Sequence, residues 1–546
     1  MLFQDVFVRK PERSAFNLTH EKKFSADFSY LYPVLFLECV PGDTFKVSTE
    51  LFVRTAPLIA PIMHRINVKL NYFFVPNRLL WDSWKDFITG INQQGVYDPT
   101  SSDQSNYFVT KIPPYFSLNP SASNFLQNLF NDGTLADFLG FPTKRAGTSV
   151  SGTTNVQLLP FKAYQKIYND WFRNQNVEAE VNLGTSYSGS SSFNITELLT
   201  LRKRMWEKDY FTSALPFAQR GDAVDIPNSG LRFDASGTSV LKDSDGSSFL
   251  PGSTEALRNI QAVGSGQDVV LQTHDASGTE TQVNVDNSSN LKVNMGTIND
   301  LRLATKLQRW LEVNARVGGR YIEQILGHFG VKSSDARLQR AEYLGGFSQP
   351  ITISDVEQTS AYGGSSSGAT ASTPQGNLAG KGVSYSTNKP IKCFCEEHGF
   401  LVGILSILPR TTYQDGMPKM FMRDYKEDYY FPEFANLGEQ DIKKAELFYN
   451  LTDSNNQSFE RFGFQERFCE YKYVPSTVHG EFKNSLQFWH LGRSFDSQPA
   501  LNKSFVEANP RNNIFAVLSA ANHFYVNLIN HVKALRPMPR QAIPTL

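Results

Sequence analysis

The chain has 546 residues, with 53 Lys+Arg against 53 Asp+Glu and therefore no formal net charge. That balance excludes nucleic-acid binding by bulk positive charge, while the length accommodates either several ordinary domains or one elaborated domain with long insertions. Aromatic residues reach 13%, with 42 Phe and 22 Tyr, against 19% charged, and bulky planar side chains favour strands and interfaces over coiled coils or disorder.

The opening Met1-Leu2-Phe3-Gln4-Asp5 lacks the basic segment, apolar run and small-residue site of a signal peptide, so a cytoplasmic origin is expected. Pro41-Gly42-Asp43 signals a turn, after which Phe45, Val47, Thr49, Leu51 and Val53 alternate with polar residues. From Ile62 to Phe74 the alternation is close to strict and places His64 on the apolar face. The opening is therefore antiparallel β. Behind Pro160, the spacing of Phe161, Tyr164, Ile167, Tyr168 and Trp171 predicts an amphipathic helix. A second is predicted over residues 299–317, with Leu301, Ala304, Leu307, Trp310, Leu311 and Ala315 on one face and Gly318-Gly319 as its stop.

Two segments differ in composition. Gly221 to Ile298 holds nine Gly, ten Asp+Glu and four Lys+Arg, a net charge of minus six, and reads as a solvated insertion. Thr359 to Ser386 is rich in Gly, Ser, Thr and Ala and reads as a long loop or arm without a regular element. Strand patterns return at Cys393 to Leu408, Phe464 to Val474, Glu481 to Trp489 and Ile514 to Val532. The longest apolar stretch, Phe400 to Leu408, falls far short of the roughly 20 residues that span a bilayer. Strands at both ends, with helices and loops between, favour one elaborated β domain over domains in series.

Catalytic patterns fail on context. Gly364-Ser365-Ser366-Ser367-Gly368 matches a nucleophile elbow but lies in low-complexity sequence. Gly380-Lys381 lacks the spacing of a phosphate loop and has Gly382 where Ser or Thr would bind magnesium. Cys393 and Cys395 project to one face of a strand near His398, without the second pair that a structural zinc site uses, and read as buried thiols. With Cys39 and Cys469 they make four cysteines, too few for a disulfide scaffold and suited to a reducing compartment. His64 reads as a core or interface histidine, and Arg220-Gly221-Asp222 as an ordinary turn. No catalytic, metal or cofactor residue is assigned.

Basic residues thicken at the ends. Arg9, Lys10, Arg13, Lys22 and Lys23 gather near the start, and Lys503, Arg511, Lys533, Arg536 and Arg540 face Glu507 alone after Pro499. Polyanion contact by arms and a simple solvated tail both fit this pattern.

Several stretches resemble the major capsid proteins of the Microviridae, the gokushovirus-like single-stranded DNA phages in particular. They include Pro41-Gly42-Asp43-Thr44-Phe45, Phe73-Phe74-Val75-Pro76-Asn77-Arg78-Leu79, Tyr210-Phe211-Thr212-Ser213-Ala214-Leu215-Pro216, Asp335-Ala336-Arg337-Leu338-Gln339-Arg340, Glu342-Tyr343-Leu344-Gly345-Gly346 and Arg536-Pro537-Met538-Pro539. The resemblance spans nearly the whole chain except Gly221 to Ile298. It implies an eight-stranded antiparallel jelly-roll barrel with long helical and loop insertions. It also implies a T=1 icosahedral homo-oligomeric shell of sixty copies, assembled in the host bacterial cytoplasm around circular single-stranded DNA.

The partners implied are a small basic DNA-binding protein, a scaffolding protein during assembly and a host cell-surface receptor, with 221–298 as the exposed attachment segment. DNA contact is then expected on the inner face at Arg9, Lys10, Arg13, Lys533, Arg536 and Arg540. The predicted helices and the 359–386 arm are expected to serve contacts between subunits. The competing reading is a carbohydrate-binding or carbohydrate-cleaving β-sandwich using Glu396 and Glu397, or Glu427 and Asp428; adjacent strand residues point to opposite faces, which weakens both pairs.

Overall fold

The computed structural model describes residues 11–90, 111–118, 131–143, 154–189, 195–222, 224, 231–233, 241–243, 259–263, 270–274, 280–285, 291–293, 298–317, 320–335, 338–359, 362–366, 369–373, 375–452, 457–517 and 522–541. Two compact units emerge, one of residues 1–218 with 317–546 and the other of residues 219–316.

The larger unit is built on two antiparallel sheets. The strands of these two sheets are β1 (Ser14–Asn17), β2 (His20–Ala26), β3 (Tyr32–Cys39), β4 (Thr44–Thr55), β5 (Ile66–Pro76), β6 (Glu342–Pro350), β7 (Thr352–Glu357), β8 (Leu378–Thr387), β9 (Ile391–Phe394), β10 (Gly399–Pro409) and β11 (Phe524–Arg536). The first sheet has seven strands in the order β1–β11–β4–β8–β7, with β2 also on β11 and β9 also on β4; the second runs β6–β5–β10–β3. Sequence neighbours such as β3 and β4, or β4 and β5, thus belong to different sheets.

Phe45, Val47, Leu51, Val53, Leu528 and Val532 from the first sheet meet Val68, Leu70, Leu401, Leu405 and Ile407 from the second in one core cluster. The two sheets differ on their other faces. In β4 and β11 buried and more accessible positions alternate, the pattern of a sheet with one wet side. All eleven residues of β10 are buried, because the second sheet is covered on both faces, and its sequence accordingly reads as a continuous apolar run.

The second cover includes helix α1 (Leu159–Ile167), which continues as a π turn through Phe172. Phe161, Tyr164, Ile167 and Tyr168 pack with Phe73, Val75, Phe400, Val402 and Ile404. Tyr164 Oη donates to the carbonyl of Leu31 at 2.9 Å, and Trp171 Nε1 to that of Ala341 at 2.9 Å. The expectation that this helix serves contacts between subunits is therefore corrected: its apolar stripe is spent inside the chain, on the far face of the second sheet.

Three sequence expectations change for local reasons. Leu378–Thr387, expected to lack regular structure, is an interior strand of the first sheet. A Cβ at Gly380 would lie 2.6 Å from the carbonyl oxygen of Ala60, and one at Gly382 2.5 Å from Thr55 Cγ2 on the paired strand β4, so small residues are there because neighbouring chain approaches too closely for a side chain. Glu481 to Trp489 makes two 3-10 turns instead of a strand, with Gly480 in the left-handed region at φ +65°. The strand expected over Phe464 to Val474 is Arg461–Glu466 and stops where Phe468 turns left-handed at φ +58°.

In the 219–316 unit, Asn259–Val263, Val270–His274, Glu280–Val285 and Leu241–Asp243 form a four-stranded antiparallel sheet, and Leu231–Phe233 pairs with Leu291–Val293. Helix α2 (Ile298–Val317) follows. Leu303, Leu307 and Trp310 on it are exposed.

Candidate nucleic-acid interface

Of the C-terminal basic residues singled out in the sequence, Lys533 lies on the solvent face of the first sheet. On β11, Lys533 is exposed, and register sets it opposite Lys46 of β4 on one side and Asn17 of β1 on the other. Arg536 behaves differently. Its Nη2 donates to the carbonyl of Glu38 and lies 3.2 Å from Oδ2 of the fully buried Asp43. Its guanidinium also stands 5.5 Å from the Phe45 ring centroid.

Asp43 sits in the Pro41-Gly42-Asp43 turn, where Oδ2 accepts from the Val40 amide at 2.9 Å. Arg13 Nη2 donates to the Gly42 carbonyl in the same turn. Arg13 and Arg536 thus bracket one turn from two sides and tie the chain's two ends to the β3–β4 connection. Arg540 is exposed beyond the end of β11, and Arg9 and Lys10 lie outside the described residues.

The catalytic candidates are engaged elsewhere. Glu397 receives Arg78 Nε on both carboxylate oxygens, at 2.7 and 2.9 Å. Asp428 accepts the amides of Asp424 and Tyr425 at 3.0 Å each, and the Tyr425 amide chiefly holds its carboxyl below the usual range. His64 Nε2 lies 2.7 Å from the Arg410 carbonyl, and desolvation pushes its pKa down to about 4. Cys393 and Cys395 are buried with sulfurs 3.9 Å apart. The Cys395 contact raises the Cys393 thiol and the Cys39 contact that of Cys395, burial adding to both, so they stay protonated. Gly364 and Ser365 pair with another strand, Ala369–Thr373, rather than leading into a helix.

Sequence reasoning missed Lys46 and Lys392. The register sets Lys392 of β9 opposite Lys46 and Lys46 opposite Lys533, so three residues far apart in the chain form one row. Only their shared position on exposed faces of alternating strands hinted at it, since the alternation fixes which face a residue takes but not which residue of a distant strand lies opposite it.

The match to known proteins runs end to end. The family described as "Capsid protein (F protein)" matches residues 5–546. The chain belongs to the capsid protein (F protein) family. Among proteins similar to it is the "Capsid protein VP1" of Chlamydia phage 1, 32% identical over an alignment covering 100% of this chain and 97% of the relative. That of Bdellovibrio phage phiMH2K is 35% identical, covering 91% and 88%, and that of Spiroplasma virus 4 is 30% identical, covering 98% and 95%. For an F-family capsid protein, groups converging on a substrate are not required; what matters is which faces the fold buries and which it leaves for partners.

Proposed function

We infer that this chain is the major structural subunit of a small phage capsid, a virion component with no catalytic role. The observation that carries the reading is the family match over residues 5–546, joined by relatives whose names all say capsid protein. No helix among the described residues is long and apolar enough to cross a membrane. The eight longer strands β2, β3, β4, β5, β6, β8, β10 and β11 support a jelly roll as the finer description. In chain order they lie first–eighth–third–sixth in one sheet and second–seventh–fourth–fifth in the other, which is how two Greek keys place strands in facing sheets.

Expressed subunits should give discrete closed particles in negative-stain micrographs. Monomers that stay unassembled under every condition would sink the reading.

The remaining partners belong to the same proposal. With 53 cationic against 53 anionic side chains, sixty subunits leave the phosphates of a packaged genome unneutralised, so a small basic protein or cations supply most counter-charge. The shell's own contact with single-stranded DNA is local, drawn from Arg9, Lys10, Arg13, Lys533, Arg536 and Arg540, of which Arg13 and Arg536 also hold the Pro41–Asp43 turn. A scaffolding protein assists assembly, and the acidic 221–298 insertion meets the host receptor.

A further inference from the structure

Three lysines stand side by side on the solvent face of the first sheet. Lys392, Lys46 and Lys533 occupy the same register on the adjacent strands β9, β4 and β11, and all three are exposed. Directly opposed residues of antiparallel strands have Cβ atoms only about 5 Å apart, and like charges in that position repel. Lys23 Nζ on this face has a carboxylate partner, Glu21 Oε2 at 2.7 Å, and the Glu50 carboxylate is taken by the His531 ring, Nε2 to Oε1 3.0 Å. Among the described residues, the three-lysine row has none.

Aromatic side chains lie on the same face to either side. Phe394, 56% exposed, follows Lys392 by two residues, and Phe52 and Tyr385, 37% and 63% exposed, sit opposite each other six residues along β4 from Lys46. From the Phe394 row to the Phe52 row the strand spans about 27 Å at about 3.4 Å per residue. A self-repelling row of cations flanked by open ring faces is complementary to a chain that carries both phosphates and unpaired bases.

We propose that this sheet face binds single-stranded DNA, with phosphates on Lys392, Lys46 and Lys533 and a base stacked on Phe394. The inference deepens the DNA-contact reading and rests on it for the identity of the polyanion, but it moves the centre of the site from the chain's tails to the register of β9, β4 and β11. Binding is tolerant of sequence, since every base presents a π face.

The test uses the purified full chain and a dye-labelled oligothymidylate, with affinity read by fluorescence anisotropy over a salt series. Replacing Lys46, Lys392 and Lys533 together by Gln should make the slope of log affinity against log salt shallower by about 2, from about 0.7 per phosphate contact. Phe394→Leu should weaken binding about tenfold, within the range for one lost stack, and leave the slope alone. Removing mutual repulsion should leave the thermal midpoint of the triple variant equal or higher. If that variant nevertheless fails to fold, Lys46→Gln alone serves, with an expected slope change of about 0.7.

An unchanged slope in a folded variant overturns the proposal. So does normal DNA binding combined with lost particle formation, which would assign the row to an acidic surface of a neighbouring copy. Normal particles from a wild-type chain that shows no salt-dependent binding overturn it while leaving the capsid reading intact. Salt-dependent binding without any particles would support it and overturn the shell instead.

Discussion

Lys533 and Arg536 stand three positions apart near the end of β11, so the period-two geometry of a strand sends them to opposite faces. Lys533 points to solvent, whereas Arg536 turns toward the fully buried carboxylate of Asp43. Arg536→Gln strands a buried charge and should cost about 3 kcal/mol, as removing one partner of a buried pair does. Lys533→Gln should stay within about 0.5 kcal/mol, as surface changes do; denaturant titration separates the two, and equal losses would contradict the assignment. Replacing both together would confound stability with DNA contact.

His64 supplies a pH prediction. Its pKa falls from an ordinary 6.5 to about 4 because burial desolvates the ring, against the raising effect of the Arg410 carbonyl. Between those values the unfolded chain binds a proton that the folded chain resists, so stability is fully present above about pH 6.5 and is lost as pH falls toward 4. His64→Gln should flatten this part of the acid limb in thermal melts taken across that range; an unaltered limb would remove His64 as its cause.

Among the elements, β8 and α1 show how packing overrides composition. A run of Gly, Ser and Thr is equally suited to a loop and to a strand pressed beneath another segment, and only the Gly380 approach to Ala60 tells them apart. Gly380→Ala should therefore destabilise by about 1–3 kcal/mol through overpacking against backbone that has little room to yield, measurable as a lowered denaturation midpoint; a neutral outcome would mean that the crossing segment moves freely.

Helix α1 has the amphipathic spacing expected from sequence, but its partner is the second face of the β6–β5–β10–β3 sheet rather than another subunit. Between the sheets, Tyr72 Oη lies 2.6 Å from Thr49 Oγ1, which donates to Asn530 Oδ1 at 2.8 Å. Thr49 and Asn530 are fully buried and Tyr72 almost so. Burial raises the Tyr72 phenol to about 12, which keeps it a donor. Thr49→Val removes the donor to Asn530 Oδ1, whose Nδ2 keeps the Val34 carbonyl, and should cost about 1–3 kcal/mol for that stranded buried acceptor, again read by denaturation.

For the whole molecule, neutrality and aromatic richness suit a subunit that buries surface against several copies of itself without long-range self-repulsion. The 219–316 unit is compact in its own right, and the 221–298 insertion carries a net charge of minus six. Deleting 221–298 should leave particles visible by microscopy and abolish adsorption to the host. Normal adsorption by assembled, deleted particles would count against the receptor role.

The sequence by itself determined the β character, the amphipathic helix behind Pro160, the absence of net charge, and through its motifs the capsid-family resemblance. These properties are written in local spacing or in total composition, so one chain read end to end suffices. Tertiary structure decided what depends on partners distant in the chain: which sheet each strand joins, that 378–387 is a strand and 481–489 is not, and that Arg536 closes on Asp43. It also decided that Lys46, Lys392 and Lys533 share one row. Strand alternation specifies which side chains share a face, but the neighbours on that face are set by register, which is a property of hydrogen-bonded pairs rather than of either strand alone.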